Sequence, residues 1–396
     1  MTRDALARQT DAVVDGSVQP AADPKPEPLG HLPVLDEIRG IAILLVIVFH
    51  SSHFTLDPLT PSAPAIYLYY QRLTQCGWIG VDLFFVLSGF LITRILLGAK
   101  DGPRYFRNFY ARRFLRIFPL YYVTLAIFAA AVAVKAVDGS GALPWLATYT
   151  SNLLSLRPGS LIVPASVQHF WSLAVEEQFY LVWPLVVLFA SSRALVRICA
   201  TVIVCAAAVR ASFVLSGNVD APYFFTLCRS DALATGAGIA VLLGRSRAPS
   251  AELLAWAKRL LAASGLALAA LASARGGTLS FQDPWVLALG LSLLSLTFGS
   301  CLVIALATRR GARPARISGG LTAFGKYSYA MYVFHQPIFI AIGRMRQKWY
   351  PGGTPHVQIL IQLLALAGGL AATFVLALAS WHVLEKRMVA LKRYFA

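Results

Sequence analysis

Charge is scarce in this chain of 396 residues. Only 13% are Asp, Glu, Lys or Arg, where an ordinary soluble domain carries about 25%. Hydrophobic residues make up 57%, and the mean hydropathy is +0.64. Apolar runs long enough to cross a bilayer recur along most of the chain, which excludes a soluble multidomain protein. Acid is scarcer than base, with 18 Asp and Glu against 35 Lys and Arg and a formal net charge of +17. In a membrane chain such an excess belongs in cytoplasmic loops facing anionic lipid, so no nucleic-acid partner is expected. The five cysteines, Cys76, Cys199, Cys205, Cys228 and Cys301, are odd in number and scattered, without CxxC spacing. They specify neither a disulfide framework nor a zinc site and read as core residues. No His/Asp/Glu cluster has metal-ligand spacing and no Gly-rich phosphate loop follows a strand, so no metal is expected.

Residues 1–33 carry Asp4, Asp11, Asp15, Asp23 and Glu27 beside a Pro-rich stretch from Pro20 to Pro33, with no apolar run long enough for a signal peptide. They read as a disordered cytoplasmic tail. A membrane domain is expected over 34–387 and a short basic cytoplasmic tail over 388–396. About ten spans are predicted, at roughly 34–54, 78–98, 115–136, 172–191, 195–216, 229–244, 258–274, 284–307, 320–343 and 357–384. Each is near the ~20 residues that cross a bilayer core. The expected fold is an all-α, polytopic transmembrane helical bundle in the bilayer.

Orientation follows the Lys and Arg of short loops. Lys100, Arg104, Arg107, Arg112, Arg113 and Arg116 follow the second span; Arg193 with Arg197, Arg245, Arg247, Lys258 and Arg259, then Arg309, Arg310, Arg313 and Arg316 follow later ones. With Lys386, Arg387, Lys392 and Arg393 these fall on one side, which predicts cytoplasmic N- and C-termini. Arg344, Arg346 and Lys348 disagree and are outweighed.

Ionisable residues inside spans cost about 2.5–3.5 kcal/mol each at a helix centre on insertion scales, which makes them functional candidates. The first span, LPVLDEIRGIAILLVIVFHSSHF, holds Arg39 and His50. Eleven helical steps return to within roughly 20° of the starting direction and rise about 16 Å, so both lie on one face, three turns apart. They suit a groove for an elongated ligand with an anionic end near Arg39 and a reactive centre near His50. The competing reading has Arg39 snorkelling to lipid phosphate and His50 bonded to a neighbouring backbone.

Five segments then share one pattern: LDEIRGIAILLVIVFH at 35–50, GWIGVDLFFVLSGFLI at 77–92, FYARRFLRIFPLYY at 109–122, HFWSLAVEEQFYLVWP at 169–184 and YSYAMYVFHQP at 327–337. Together, over about 34–387, they resemble the acyltransferase-3 family, bacterial integral-membrane O-acyltransferases of surface polysaccharides and some secondary metabolites. The resemblance implies that Arg39 and His50 are the family's arginine and histidine separated by ten residues, with His50 the catalytic histidine. It matches Arg113 and Arg116 to the family's arginine motif, and Ser172, Glu176, Gln178, Phe179 and Tyr180 to SLxxExQFY. Glu37 stands where the family usually has glycine, and Arg387 where a proline is common.

The implied reaction moves an acyl group, with acetyl the expected one, from cytoplasmic acyl-CoA to a hydroxyl of a carbohydrate or glycosylated acceptor, in the bacterial cytoplasmic membrane. Such a transfer needs a base, and a neutral imidazole with a pKa of about 6.5 serves at neutral pH. His50 acts either directly on the hydroxyl or as a nucleophile that first takes the acyl group. Glu176 is expected to orient or charge-tune its ring, with Glu177 the competitor. Arg113 and Arg116 share a helical face that Arg112 leaves, and with Arg39 they form a cationic mouth for the phosphates of acetyl-CoA. Positive-inside topology is the alternative explanation of these arginines. Asp82 is expected to pair with a bundle arginine, Ser88 with Gly89 to allow close helix packing, and Arg229 with Asp231 to form a structural pair. His335 reads as a bundle histidine rather than a second base, and His53 as reaching the acceptor region. A transporter or a non-catalytic membrane partner are the alternatives; no internal repeat favours the first, and the intact Arg39, His50 and Glu176 argue against the second.

Overall fold

The computed structural model describes residues 32–56, 64–156, 163–244, 246, 248–308, 315–352 and 354–395. The tail up to residue 31 and Arg245, Arg247, Arg309, Arg310 and Arg313 therefore lie outside the described residues. Among the described residues every regular element is helical. The long helices are α1 (Pro33–Thr55), α2 (Ala65–Gln75), α3 (Gly80–Ala99), α4 (Tyr105–Ala133), α5 (Trp171–Phe189) and α6 (Ser192–Leu215), then α7 (Thr226–Leu243), α8 (Ala251–Ala274), α9 (Leu291–Ala307), α10 (Ala315–Trp349) and α11 (Pro355–Ser380). Each of the ten predicted segments overlaps one of them, and α2 is an addition. Among the described residues eight helical stretches are long and apolar enough to cross a membrane; α1 and α10 are the long helices outside that set. The chain is a multi-pass α-helical membrane protein. Its outer surface carries large apolar side chains such as Phe189, Leu215 and Leu266, exposed by 82%, 88% and 73%. That arrangement suits hydrocarbon and not water.

The local signals are ordinary ones. Pro33 sits in the first turn of α1, where its missing N–H is no loss, and Asp36 in the same turn meets the positive end of the helix dipole. Ser191 and Ser250 cap α6 and α8, their hydroxyls accepting from Ala194 N and Leu253 N at 3.2 and 3.1 Å. α10 runs through Pro337 without interruption.

The central pair is α1 against α10, and glycine sets their approach. A Cβ on Gly40 would overlap the Leu321 carbonyl oxygen, one on Gly325 the Asp36 oxygen, and one on Gly343 the Phe54 oxygen. Contacts that advance together along both helices, from Asp36–Gly325 to Phe54–Gly343, mean that the two run parallel. Small residues at such a seam let backbones touch where lipid offers no hydrophobic drive to association. α3 and α7 use the same device in antiparallel sense: Gly89 meets the Leu233 carbonyl and Gly236 that of Val86.

Two buried ion pairs join the helices around α7. Arg229 Nη2 meets Asp82 Oδ1 at 2.8 Å, both side chains 1% exposed, and Arg210 Nη2 meets Asp231 Oδ2 at 2.9 Å. Asp82 thus finds its bundle arginine, but the expected Arg229–Asp231 pair does not form. Two residues apart on one helix, the two side chains point about 200° apart, so each pairs across to a different neighbour. The cysteines are free; Cys199 and Cys228 are buried, whereas Cys205 and Cys301 are exposed on the apolar outer face, which corrects their reading as core residues.

The glycine seam predicts that Gly325→Leu lowers the melting temperature in detergent, by a penalty of ~1–3 kcal/mol for overpacking. Gly368→Leu, at a position with open space around it, is the control. Equal melting temperatures for the two variants would show that the seam does not hold α1 to α10.

Candidate active site

Two cavities flank α1 at different levels. The first, about 710 Å³, is lined by Arg39 from α1, Ser88 from α3, Arg113 and Arg116 from α4, Glu176 and Tyr180 from α5, and Tyr329 and Tyr332 from α10, among others. The α3 contribution comes from Val81, Phe84, Phe85 and Ser88, at the i, i+3, i+4, i+7 spacing of one helical face. Arg113, Arg116 and Ile117 do the same from α4. Three guanidinium groups thus converge on one space, with Glu176 the carboxylate among its lining residues. Arg39 Nη1 holds Asp36 at 3.0 Å with 28% of its side chain still exposed, and Arg113 lies over the Tyr180 ring at 5.7 Å. Ser88 Oγ donates to Glu176 Oε1 at 2.5 Å and lies 2.7 Å from Tyr180 Oη.

The second cavity, also about 710 Å³, is lined by His50, His53, Phe49 and Phe54 of α1, with Trp78, Trp171, Tyr223, Phe224, Phe281, Gln336 and their neighbours. It is an aromatic box. Trp78 is fixed by Nε1–H donation to Leu279 O at 2.9 Å, and Phe281 meets Phe49 edge-on at 5.7 Å. Behind its wall, Arg229 lies over Trp171 at 5.8 Å and Tyr223 at 5.2 Å, so the Asp82 pair also braces these rings. Gln336 Nε2 donates to Ala165 O at 2.7 Å, while its buried Oε1 has no partner among the described residues. His50 Nδ1 lies 3.0 Å from Val46 O and 3.1 Å from His335 Nε2. His169 packs edge-on to His335 at 5.0 Å. Although three histidines meet, no group of three or more His, Cys, Asp or Glu among the described residues is arranged to hold a metal ion.

Val81 and Tyr332 line both cavities and form the partition between them. Tyr332 is anchored at its hydroxyl, which lies 2.5 Å from Ser172 Oγ and donates to His169 O at 2.9 Å. Ser172 of the SLxxExQFY segment therefore holds the partition.

The structure brings Arg39, Arg113, Arg116 and Glu176 into one cavity and puts His50 in the other. Arg112 leaves that group as expected, donating from Nε to Phe395 O at 2.8 Å. Glu176 is not beside the His50 ring: its bonding partner is Ser88, and the imidazole's neighbour is His335. The reason is the helix level, because Glu176 lies one turn past Ser172, beyond the Tyr332 partition from His50. Ser88 turns its hydroxyl to Glu176, and Gly89 alone supplies the close packing. Gln178 faces the other way, donating to Tyr149 O at 2.8 Å and Asn152 Oδ1 at 2.9 Å, and so ties the 149–152 segment to α5. Sequence reasoning assigned no role to Tyr332; its placement three residues before His335 on an aromatic face was the available signal.

The acyltransferase-3 profile, described as an acyltransferase domain, matches residues 32–382, and the chain belongs to this family. It is 28% identical over 394 residues to the putative peptidoglycan O-acetyltransferase YrhL of Bacillus subtilis (strain 168), across 90% of this chain and 54% of that one. It is 26% identical over 367 residues to the O-acetyltransferase OatA of Staphylococcus aureus (strain NCTC 8325 / PS 47), across 85% and 55%. Over a shorter stretch of 167 residues it is 32% identical to the peptidoglycan O-acetyltransferase OatA of Listeria monocytogenes, across 39% and 24%. The chain spans about half the length of the first and second of these relatives. No solved structure matches.

Removing one partner of a buried ion pair leaves an uncompensated charge, at a cost of ~3–5 kcal/mol. Arg229→Met should therefore lower thermal stability in detergent strongly, and Arg229→Met with Asp82→Leu should recover much of the loss. A double variant no more stable than the single one would show that the stranded carboxylate is not the source of the cost.

Proposed function

We propose that this chain is a membrane O-acyltransferase that moves an acetyl group from acetyl-CoA to a hydroxyl of a cell-wall glycan. The observation that carries the reading is the pair of cavities on one helix, cationic at Arg39 and aromatic at His50, separated by a single partition. Three guanidinium groups around one cavity fit the phosphates of a coenzyme A donor, since guanidinium forks match phosphate oxygens in bidentate fashion. The arginine cavity is then the cytoplasmic one, in accord with the basic residues of the loop after α3.

The aromatic box suits a sugar. Ring faces pack on the apolar C–H faces of a pyranose, and a few polar groups fix its orientation. Gln336 Oε1, buried and without a partner among the described residues, is an acceptor for a sugar hydroxyl, and His53 lines the same space. The names of the relatives support peptidoglycan as the glycan, because two of the three described above carry it.

In this reading the acceptor hydroxyl attacks the thioester carbonyl at the partition. Its proton passes to His50 as the new C–O bond forms and the C–S bond breaks, and the departing thiolate takes that proton, leaving an ester and free coenzyme A. Glu176, held by Ser88 beside Arg113, acts on the donor side, balancing the arginines and aligning the thioester end rather than orienting the imidazole.

Transfer of labelled acetyl from acetyl-CoA to an N-acetylglucosamine oligomer by the full-length protein in lipid tests this reading. His50→Ala should abolish transfer. Arg113→Ala and Arg116→Ala should each raise the KM for acetyl-CoA about tenfold or more, the range expected for charged hydrogen bonds of ~1.5–3 kcal/mol. Unchanged transfer by His50→Ala would refute the assignment of the base, and unchanged KM values would refute that of the donor cavity.

A further inference from the structure

The His50 ring is gripped from behind by a second histidine, and the hydrogen bonds around the pair determine where the protons sit. His335 Nδ1 lies 2.6 Å from Tyr332 O. A peptide carbonyl only accepts, so His335 carries its hydrogen on Nδ1 and offers the Nε2 lone pair. That lone pair lies 3.1 Å from His50 Nδ1, which also lies 3.0 Å from Val46 O. The same logic places the His50 hydrogen on Nδ1, shared between the Val46 carbonyl and His335 Nε2. A protonated His335 would set two N–H groups against each other, so His335 is neutral, and on the neutral His50 that a base requires the single hydrogen is the one on Nδ1. His50 Nε2 is then bare of hydrogen and has no partner among the described residues, on a ring that lines the aromatic cavity.

We infer that His335 is a positioning residue that holds His50 in the Nδ1–H tautomer, with the Nε2 lone pair free to take the proton of the acceptor hydroxyl. This rests on the proposed role of His50 as the base. In the opposite tautomer Nε2 bears the hydrogen and cannot accept one. A carboxylate fills this place behind the histidine of a hydrolase triad. Here a neutral imidazole does so, which spares the bundle a buried unpaired charge. During transfer the acceptor proton goes to His50 Nε2 as the C–O bond forms, then to the thiolate released when the C–S bond breaks. His335 gains and loses nothing; its lone pair and the Val46 carbonyl stabilise the transient imidazolium. The grip is rigid because His335 is fully buried, packed on the His169 ring at 5.0 Å, and carried by the helix that the glycine seam fixes against α1.

Three substitutions separate this role from packing. In His335→Gln the side-chain oxygen reaches the Nε2 position and accepts from His50 Nδ1–H. In His335→Asn the amide reaches only the Nδ1 position, where it keeps the Tyr332 bond and loses His50; His335→Ala loses both. In full-length protein in lipid, with acetyl-CoA and an N-acetylglucosamine oligomer, Asn and Ala should lower kcat about a hundredfold or more. Gln should retain at least ten times the kcat of either, and the KM for acetyl-CoA should stay within twofold throughout. Histidine-selective ¹⁵N NMR of the unsubstituted protein, with the His50 signals assigned by their loss in His50→Gln, should show a neutral ring protonated on Nδ1. The inference is overturned if Asn matches or exceeds Gln, if Ala keeps full kcat, or if His50 is protonated on Nε2. Activity in His50→Ala would instead overturn the assignment of the base itself, so the two failures are distinguishable.

Discussion

Everything at the candidate site depends on how closely α1 approaches α10. Gly40, Gly325 and Gly343 each replace what would be a side chain with a neighbouring carbonyl oxygen. That backbone contact brings two ring side chains, each already bonded to its own helix, to 3.1 Å from one another. It also delivers Tyr329 and Tyr332 to the cavity that Arg39 lines. A looser packing by the width of one methyl group would leave the histidines separated by more than a hydrogen bond, and neither would specify the other's tautomer.

Around this axis the bundle commits its buried charge in two ways. Asp82, Arg229, Asp231 and Arg210 are matched one to one at 1% exposure or close to it, and they act as structural ties between α3, α6 and α7. The arginines of the first cavity are arranged differently: Arg39, Arg113 and Arg116 line one space together with Glu176, and Arg39 also holds Asp36. Buried charges are ordinarily paired.

Much of this was legible in the sequence because it is local. Hydropathy located each long helix except α2, and the eleven-residue spacing placed Arg39 and His50 on one face at two levels, where each lines its own cavity. The three-residue spacing of Arg113 and Arg116 put both into one cavity and sent Arg112 elsewhere. What could not be read was partnership across helices. Arg229 has Asp231 two residues away yet pairs with Asp82, 147 residues distant, because helical rotation points the nearer carboxylate away. Glu176 and His50 are both polar, inward and part of motifs, but only the level of α5 relative to α1 shows that Tyr332 stands between them. His335 lies 285 residues from His50, and no periodicity connects residues so far apart.

That separation bears on how the molecule is made. The two parallel helices of the central seam come from near opposite ends of the described chain, so α1 enters the bilayer long before α10 is synthesised. Until then the imidazole of α1 has only its own helix carbonyl to hold it, and the tyrosine that partitions the two cavities is missing. A partly synthesised chain therefore lacks the assembled dyad and the barrier together. Long-range contacts of this kind form late and slowly; the paired imidazoles and the wall between the cavities arrive in one step with the closing of the bundle.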